Sequence, residues 1–305
     1  LDHLTINGTF NPNGTIGSIV TTINGSDTYF IYCNGNIINN NGSIRGTTKI
    51  YAQGSGTISI VVGYIGVKEF ILDGDYTITQ VTFNNLEGTM FVTYNSGTII
   101  STGRCSVNNN VTMNTGSGVL WFEIFQNGAG SNMNLASDLH CITNNTTFNG
   151  LTLTGAYNYY CKNLIGTGIN TLISTTTKLI LNPDTTGTWS LTGPIRIDID
   201  INCTGTLTLA ASSIGLFNGT GASAARTFRV VAGTVNVASG NIFSLGGNWI
   251  LDTAGINFDT LNIFGVASTQ NFQLDSLLTA HRIPHTGPMD NRFTGAFGWT
   301  TNEFF

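Results

Sequence analysis

Short runs of apolar residues, mostly β-branched or aromatic, recur along the whole chain, and each ends near glycine or asparagine. The runs are residues 28–33, 57–62, 76–83, 89–94, 119–125, 178–181, 206–209, 227–231 and 257–264. Runs of this length and composition, separated by turn residues, predict β-strands. No stretch before Leu274 keeps the period of about 3.6 residues that an amphipathic helix needs. We therefore expect very few helices.

The clearest alternation lies in residues 195–202, where isoleucine and polar residues take turns. Successive side chains of a strand point to opposite faces, so one face of this strand is apolar and the other polar. The pattern predicts that the isoleucines face a core. It places Arg196, Asp198 and Asp200 together on the solvent side.

Two all-β architectures fit strands at this spacing: antiparallel β-sandwich domains and a parallel β-helix. No linker interrupts the strand texture. Asparagine clusters at residues 39–41, 108–110 and 144–145 suit the corners of coils, where an amide tolerates left-handed geometry. Scarce charge also suits like residues stacked ~4.8 Å apart. We therefore expect a single-stranded parallel β-helix (β-solenoid), with the sandwich as the alternative.

The C-terminal segment differs from the rest of the chain. We predict a solenoid body over residues 1–274 and a cap or oligomer-contact tail over residues 275–305. The tail is expected to begin with a short helical turn after Asp275 that Pro284 ends. Because the last coil of a solenoid exposes an unpaired edge and an open core, aromatic residues of the tail are expected to cover it or to meet a neighbouring subunit. These residues are Phe293, Phe297, Trp299, Phe304 and Phe305.

Composition narrows the class of protein. Charged residues make up 9% of the chain, against ~25% in an average domain, so asparagine, threonine, serine and glycine must cover the surface. The net charge is −5 and the cations are scattered, which argues against binding nucleic acid. No apolar run approaches the ~18 residues of a membrane helix. Composition therefore favours an extracellular, cell-surface or virion location without a membrane span.

The five cysteines are odd in number and form no Cys-x-x-Cys pair. That spacing argues against a zinc site. Each cysteine lies in a strand-like context, so we expect buried free thiols, with one disulfide as the alternative. No phosphate-binding loop or nucleophile elbow occurs either, and we expect no cofactor and no metal.

The strongest catalytic candidates are Asp198 and Asp200 with Arg196. Carboxylates two residues apart on one strand face lie ~7 Å from each other, inside the range that inverting glycosidases use. The pattern therefore permits a polysaccharide-cleaving site. The simpler interpretation is a solvated strand face on which Arg196 partly offsets two acids, and we favour it.

A second acidic pair, Asp73 and Asp75, is separated by Gly74. Short acidic loops of this kind bind calcium when further oxygen ligands complete the shell. The acids needed for a shell are absent from the neighbouring sequence, so Asp73 and Asp75 are a weak metal candidate. A turn is the favoured interpretation.

Near the C-terminus, residues 294–299 read Thr-Gly-Ala-Phe-Gly-Trp and are soon followed by further aromatic residues. This segment resembles the closing segment of large secreted β-helix proteins of Bacteroidota-type bacteria. The body is similar in texture to the fibre and spike β-helices of bacterial surfaces and viruses. The resemblance implies a displayed, structural or adhesive protein.

Two functional hypotheses follow. The first is a non-enzymatic surface or virion component, such as a fibre, a spike or an adhesin shaft, which associates with further copies of itself and meets surface carbohydrate. The second is a carbohydrate-active β-helix enzyme, a polysaccharide lyase or hydrolase, that works through Asp198 and Asp200. The sparse charge and regular strand texture favour the first.

Overall fold

The computed structural model describes most of the N-terminal half of the chain and the strands of the C-terminal half. The described residues are 3–10, 19–23, 30–39, 42–126, 131–166, 172–181, 186–190, 195–209, 213–216, 227–237, 242–245, 248–252, 255–264, 270–274, 278–283, 285–286, 291–294 and 299–304. No helix occurs among these residues, as the sequence pattern predicts. It follows that no described helix could cross a membrane.

The described residues form twenty-nine strands. The first fifteen are β1 (His3–Ile6), β2 (Ile19–Ile23), β3 (Phe30–Cys33), β4 (Ile37–Asn39), β5 (Gly42–Gly46), β6 (Lys49–Ile60), β7 (Ile65–Gly66), β8 (Glu69–Ser96), β9 (Ile99–Ser101), β10 (Arg104–Asn114), β11 (Gly116–Leu120), β12 (Glu123–Gln126), β13 (Asn132–Leu135), β14 (Leu139–Phe148) and β15 (Thr152–Gly155). The others are β16 (Tyr159–Gly166), β17 (Leu172–Leu181), β18 (Thr186–Ser190), β19 (Ile195–Leu209), β20 (Ser213–Leu216), β21 (Thr227–Val237), β22 (Ile242–Leu245), β23 (Asn248–Leu251), β24 (Gly255–Phe264), β25 (Gln270–Leu274), β26 (Leu278–Ile283), β27 (His285–Thr286), β28 (Asn291–Thr294) and β29 (Trp299–Phe304).

The strands pair in parallel, coil upon coil, which confirms the predicted β-solenoid. Strand β3 lies between β1 and β6, and β6 pairs in turn with β8. A sandwich requires consecutive antiparallel hairpins. The described pairings are parallel, so the sandwich alternative is wrong. The chain divides into two compact units, Leu1–Asn144 with Leu153–Asn158, and Asn145–Thr152 with Tyr159–Phe305. The predicted boundary between residues 274 and 275 stays a prediction.

In the first unit, inward residues of successive coils stack in rows. Ile31, Ile50 and Phe70 are partners in register, and all three are buried. Successive side chains of a strand point to opposite faces, so the neighbours of each inward residue in its own strand point outward. Strand β3 shows this as alternating half-buried and buried positions. Burying a side chain of this size contributes roughly 1.5–3 kcal/mol, so the rows supply the main stabilisation.

In the second unit, the alternation predicted from residues 195–202 is confirmed where side chains are described. Ile197, Ile199 and Ile201 are fully buried, whereas Asp198 and Asp200 are partly exposed. Ile199 pairs with Phe228 of the next coil. The Trp189 and Phe228 rings stack with centroids 6.4 Å apart.

The predicted helical turn after Asp275 is wrong over its described part. Leu278–Ile283 forms strand β26, and its first residue pairs in parallel with Ile256 of β24. Strand β26 has a parallel partner on each side, β24 and β29, so its backbone groups find hydrogen-bond partners in both directions, whereas a single helical turn leaves most of them unpaired.

The predicted aromatic tail continues the strand stacking over its described part. Phe293 is in register with Phe272, Trp299 with Leu278 and Phe304 with Ile283. The side chains of Phe293, Trp299 and Phe304, and the whole of Phe297 and Phe305, lie outside the described part of the chain. Their burial therefore stays a prediction.

Coil length varies along the chain. The hydrogen bond between Asn163 and Asn145 joins residues 18 apart, whereas that between Thr227 and Asp198 joins residues 29 apart. Strand β8 runs round a full coil, since Thr93 near its end bonds to Glu69 at its start. This variation explains why the turn residues of the sequence recur at irregular intervals.

All five cysteines are buried and none forms a disulfide, as predicted. Burial raises the pKa of the Cys33 thiol to about 12 and raises the pKa of Cys105 well above its ordinary value. The thiolate is the nucleophile that attacks a thiol reagent, so both burial and a raised pKa slow the reaction.

We therefore expect a chromogenic disulfide reagent at pH 8 to modify fewer than one thiol per chain within minutes in the native protein. The same reagent should titrate all five cysteines once denaturant is added. A reagent that rapidly modified two or more thiols of the folded protein would contradict this burial.

Candidate functional site

The acidic pair of strand β19 lies on the outer face, and both carboxylates are engaged by neighbouring coils. An oxygen of Asp198 accepts a hydrogen bond of 2.9 Å from the backbone N–H of Thr227 on the following coil. An oxygen of Asp200 lies 2.9 Å from the ammonium of Lys178 on the preceding coil. The side chain of Arg196 lies outside the described part of the chain.

These contacts describe what the pair can do chemically. The Asp200 carboxylate is paired with an ammonium and the Asp198 carboxylate accepts a backbone N–H. Each acid is thus bonded to a neighbouring coil, and the arrangement stabilises coil stacking.

The pair Asp73 and Asp75, in the first unit, is engaged in the same way. Asp73 accepts hydrogen bonds from the side chains of Asn95 at 2.8 Å and Ser96 at 2.7 Å. Asp75 accepts one of 2.7 Å from the backbone N–H of Thr98. Both acids lie within strand β8, and these bonds join them to residues one coil later, at and just after the end of that strand.

Calcium would need six to eight oxygen ligands in place of these N–H and O–H donors. Among the described residues, no group of three His, Cys, Asp or Glu side chains is placed to hold a metal ion. Asp73 and Asp75 lie inside strand β8, in register with Gln53 and Ser55 of β6. The favoured prediction of a turn is therefore wrong, because the parallel pairing of the two coils continues through both acids.

Ion pairs also join one coil to the next. Lys49 and Glu69 are partners in register, 2.8 Å apart, and Arg104 and Glu123 are partners 2.9 Å apart. In the second unit, Arg229 donates to Asp252 at 2.7 Å. Each pair is partly exposed and contributes at most about 1 kcal/mol. Opposite charges in register nevertheless fix which coils stack, since like charges would repel.

Asparagine side chains form a second set of bonds between coils. The amide pairs, with their nitrogen–oxygen distances, are Asn34 to Asn7 at 2.7 Å, Asn109 to Asn84 at 2.6 Å, Asn132 to Asn110 at 2.9 Å and Asn163 to Asn145 at 3.1 Å. Asn109 has a φ of 57°, the left-handed geometry predicted for the asparagine cluster at residues 108–110. Amide groups therefore connect the coils without adding charge.

One aromatic cluster lies on the outer face of the first unit. Phe30, Tyr32 and Tyr51 are half-buried, between inward residues that are fully buried. Tyr32 and Tyr51 are partners in register, with ring centroids 5.2 Å apart and ring planes 36° apart. The Phe30 centroid is 6.2 Å from that of Tyr32 and 5.4 Å from that of Tyr51. We call these three residues the aromatic platform.

The immediate surroundings of the platform are electrically balanced. The Lys49 ammonium lies 5.9 Å from the centroid of the Phe30 ring and is paired with Glu69. Desolvation raises the pKa of Tyr51, so its hydroxyl stays protonated at neutral pH. The platform therefore combines aromatic rings in mutual contact with a neutral Tyr51 hydroxyl and a paired cation.

Sequence reasoning missed the platform and the ion pairs between coils. Phe30 and Tyr32 are two residues apart in one strand, and Tyr51 follows by about one coil length. That pattern is a usable signal only when the coil length at that point is known. Comparisons of the chain with protein-family models, with curated proteins and with solved structures find no match.

Proposed function

We propose that this chain is a non-enzymatic structural or adhesive protein of a cell surface or virion, of the fibre, spike or adhesin-shaft type. One observation carries the proposal. Both acidic pairs and the partly exposed ion pairs bond to neighbouring coils, so the polar groups of the described outer face serve coil stacking.

The physical properties of such a surface suit display. Stacked coils with bonded outer side chains lose little conformational entropy when they meet a ligand, because the side chains are already ordered. Amide and hydroxyl groups also remain neutral across the pH range of an extracellular environment. These properties support an extracellular, cell-surface or virion location, with self-association and surface carbohydrate as the partner classes.

The enzyme hypothesis predicts that Asp198 and Asp200 support cleavage of a polysaccharide, whereas the proposed function predicts that they do not. We expect the double variant Asp198→Asn, Asp200→Asn to fold, because each carboxylate makes one partly exposed contact worth at most about 1 kcal/mol. We also expect neither the parent nor the variant to cleave acidic or neutral polysaccharides. Released reducing ends and the ultraviolet absorbance of unsaturated products measure hydrolysis and elimination respectively.

Glu123→Gln is the matched control, since it removes an ion pair of the same kind, with Arg104, in the first unit of the chain. Its thermal midpoint should fall about as much as that of the double variant. Cleavage by the parent that is lost in the double variant and kept in Glu123→Gln would overturn the proposal in favour of a polysaccharide-degrading enzyme.

A further inference from the structure

We propose that the guanidinium of Arg45, stacked on Tyr64 in the first unit, binds a carboxylate of an acidic polysaccharide. The inference rests on the proposed function, since it names the ligand class that an adhesive solenoid would hold. The guanidinium carbon lies 5.1 Å from the centroid of the Tyr64 ring, and both residues are half-buried. A stacked ring covers one face of the planar guanidinium, whereas the N–H donors lie along its edge.

The chain leaves the bonding capacity of Arg45 unused. Its Nε is buried without a hydrogen-bond partner in the described part of the chain, and so is the hydroxyl of Tyr64. No described acid pairs with the guanidinium, whereas Lys49, Lys178 and Arg229 each have one. Buried polar groups are nearly always bonded, so two unfilled groups at one place point to a partner from outside the chain.

Arg104 shows the same arrangement with the acid supplied by the chain. Its guanidinium carbon lies 4.6 Å from the centroid of the Phe125 ring, and its Nε donates to Glu123 at 2.9 Å. Glu123 is in register with Arg104 on the next coil. The residue in register with Arg45 on the next coil is Gly66, which has no side chain. The chain thus gives Arg45 an aromatic ring and leaves the carboxylate to a ligand.

The acids of the first unit whose side chains are described are all bonded to other groups. Two pair with cations and three accept hydrogen bonds from neutral donors: Glu69, Glu123, Asp73, Asp75 and Asp138. The net charge of −5 does not oppose a local contact, because charges further than about 8 Å away are screened at physiological ionic strength. The groups next to Arg45 therefore decide which anion it binds.

Those groups favour a carboxylate over a phosphate-rich ligand. The residues in register with Arg45 on the two adjacent coils, Thr22 and Gly66, are uncharged. Phosphate-rich polymers need clustered cations, whereas one guanidinium matches one carboxylate through two parallel N–H···O bonds. A single exposed pair of this kind is weak. A polymer that repeats the carboxylate gains affinity when it meets many displayed copies of the chain, which favours an acidic polysaccharide.

The test measures binding of the full chain to polygalacturonate, to its methyl ester and to dextran sulfate. Affinity electrophoresis in gels that contain each polymer gives the apparent dissociation constants. We expect the parent to bind polygalacturonate and to lose at least about tenfold in affinity when the carboxylates are esterified. The variant Arg45→Gln should bind polygalacturonate at least about tenfold more weakly than the parent, because it loses the charge and the paired donors.

Two further variants separate recognition from net charge. Arg104→Gln removes the second stacked arginine of the unit, whose donors Glu123 already takes, and it should bind like the parent. Arg45→Lys keeps the charge but loses the planar fork of donors, and it should bind at least about threefold more weakly than the parent. Thermal midpoints show that each variant is folded. If Arg45→Gln does not fold, Arg45→Lys carries the test.

The inference is overturned if the parent does not bind polygalacturonate, or if either Arg45 variant binds it as tightly as the parent. Equal losses in Arg104→Gln and Arg45→Gln would also overturn it, because net charge alone would then explain binding. Binding to dextran sulfate alone would assign the site to sulfate esters instead. An oligomer that Arg45→Gln dissociates, detected by light scattering, would make Arg45 a contact between copies. None of these results touches the proposed function, which fails only if Asp198 and Asp200 support cleavage.

Discussion

Replacing Gly97 by alanine should destabilise the protein by about 3 kcal/mol, measured as the free energy of unfolding in urea. Gly97 has a φ of 92°, a left-handed conformation that costs an L-residue about 1–2 kcal/mol. An added Cβ would also overlap the carbonyl group of Gly74 on the coil below and lie 2.7 Å from its Cα. Neither backbone can move without breaking the parallel pairing around it.

Two other glycines separate these two causes. Gly116 has a φ of 52°, but an added Cβ there meets no atom within 4 Å, so Gly116→Ala should show the conformational cost alone, about 1 kcal/mol. Gly88 has open space and no left-handed φ, so Gly88→Ala should lie within about 0.5 kcal/mol of the parent. Equal stabilities for the Gly97 and Gly88 variants would contradict the close approach of the two coils.

Gly97 also shows where sequence reasoning reaches its limit. The Gly-Thr pair at residues 97–98 predicts a turn followed by a strand, and strand β9 does begin at Ile99. The close approach of Gly97 to Gly74 is a relation between coils, and it depends on a coil length that differs from coil to coil. No local pattern encodes that length.

Features that depend on one strand at a time are the ones that the sequence predicts well. The alternation around Asp198, the scarcity of helix and the left-handed Asn109 all follow from local residue chemistry. The prediction of a helical turn after Asp275 is wrong because the structure of this segment depends on a neighbouring coil. Its Leu-Leu-Thr-Ala run has fair helix propensity, but a parallel partner strand in β24 outweighs a preference of a few tenths of a kcal/mol per residue.

In the candidate sites, too, the features set within one strand are predictable from the sequence, and the contacts between coils are not. Placing Asp198 and Asp200 on one solvent face needs only the period of two, and the structure agrees. Their partners, Thr227 and Lys178, lie 29 and 22 residues away, and only the stacking register brings them into contact. The aromatic platform was missed for this reason as well, since Tyr32 and Tyr51 become neighbours only through that register.

A second large effect is expected at Trp121, the indole that fills the core of the first unit. The side chain is fully buried, its ring lies edge to face with Phe83 at 6.3 Å, and its N–H donates to the hydroxyl of Thr115 at 3.3 Å. Trp121→Ala removes the largest type of side chain and leaves a buried hydroxyl without its donor, so unfolding should become easier by about 3–5 kcal/mol. Chemical denaturation followed by far-ultraviolet circular dichroism measures the change.

Leu120→Ala is the matched control, because it changes the next residue of the chain, which points outward and is 46% exposed. Parallel stacking with strict alternation requires the two neighbours to respond very differently, and Leu120→Ala should cost no more than about 0.5 kcal/mol. A comparable loss from both variants would mean that both side chains are inside, as in a strand covered on its two faces. The difference between the two free energies therefore tests the solenoid itself, since only one face of each coil wall packs against the core.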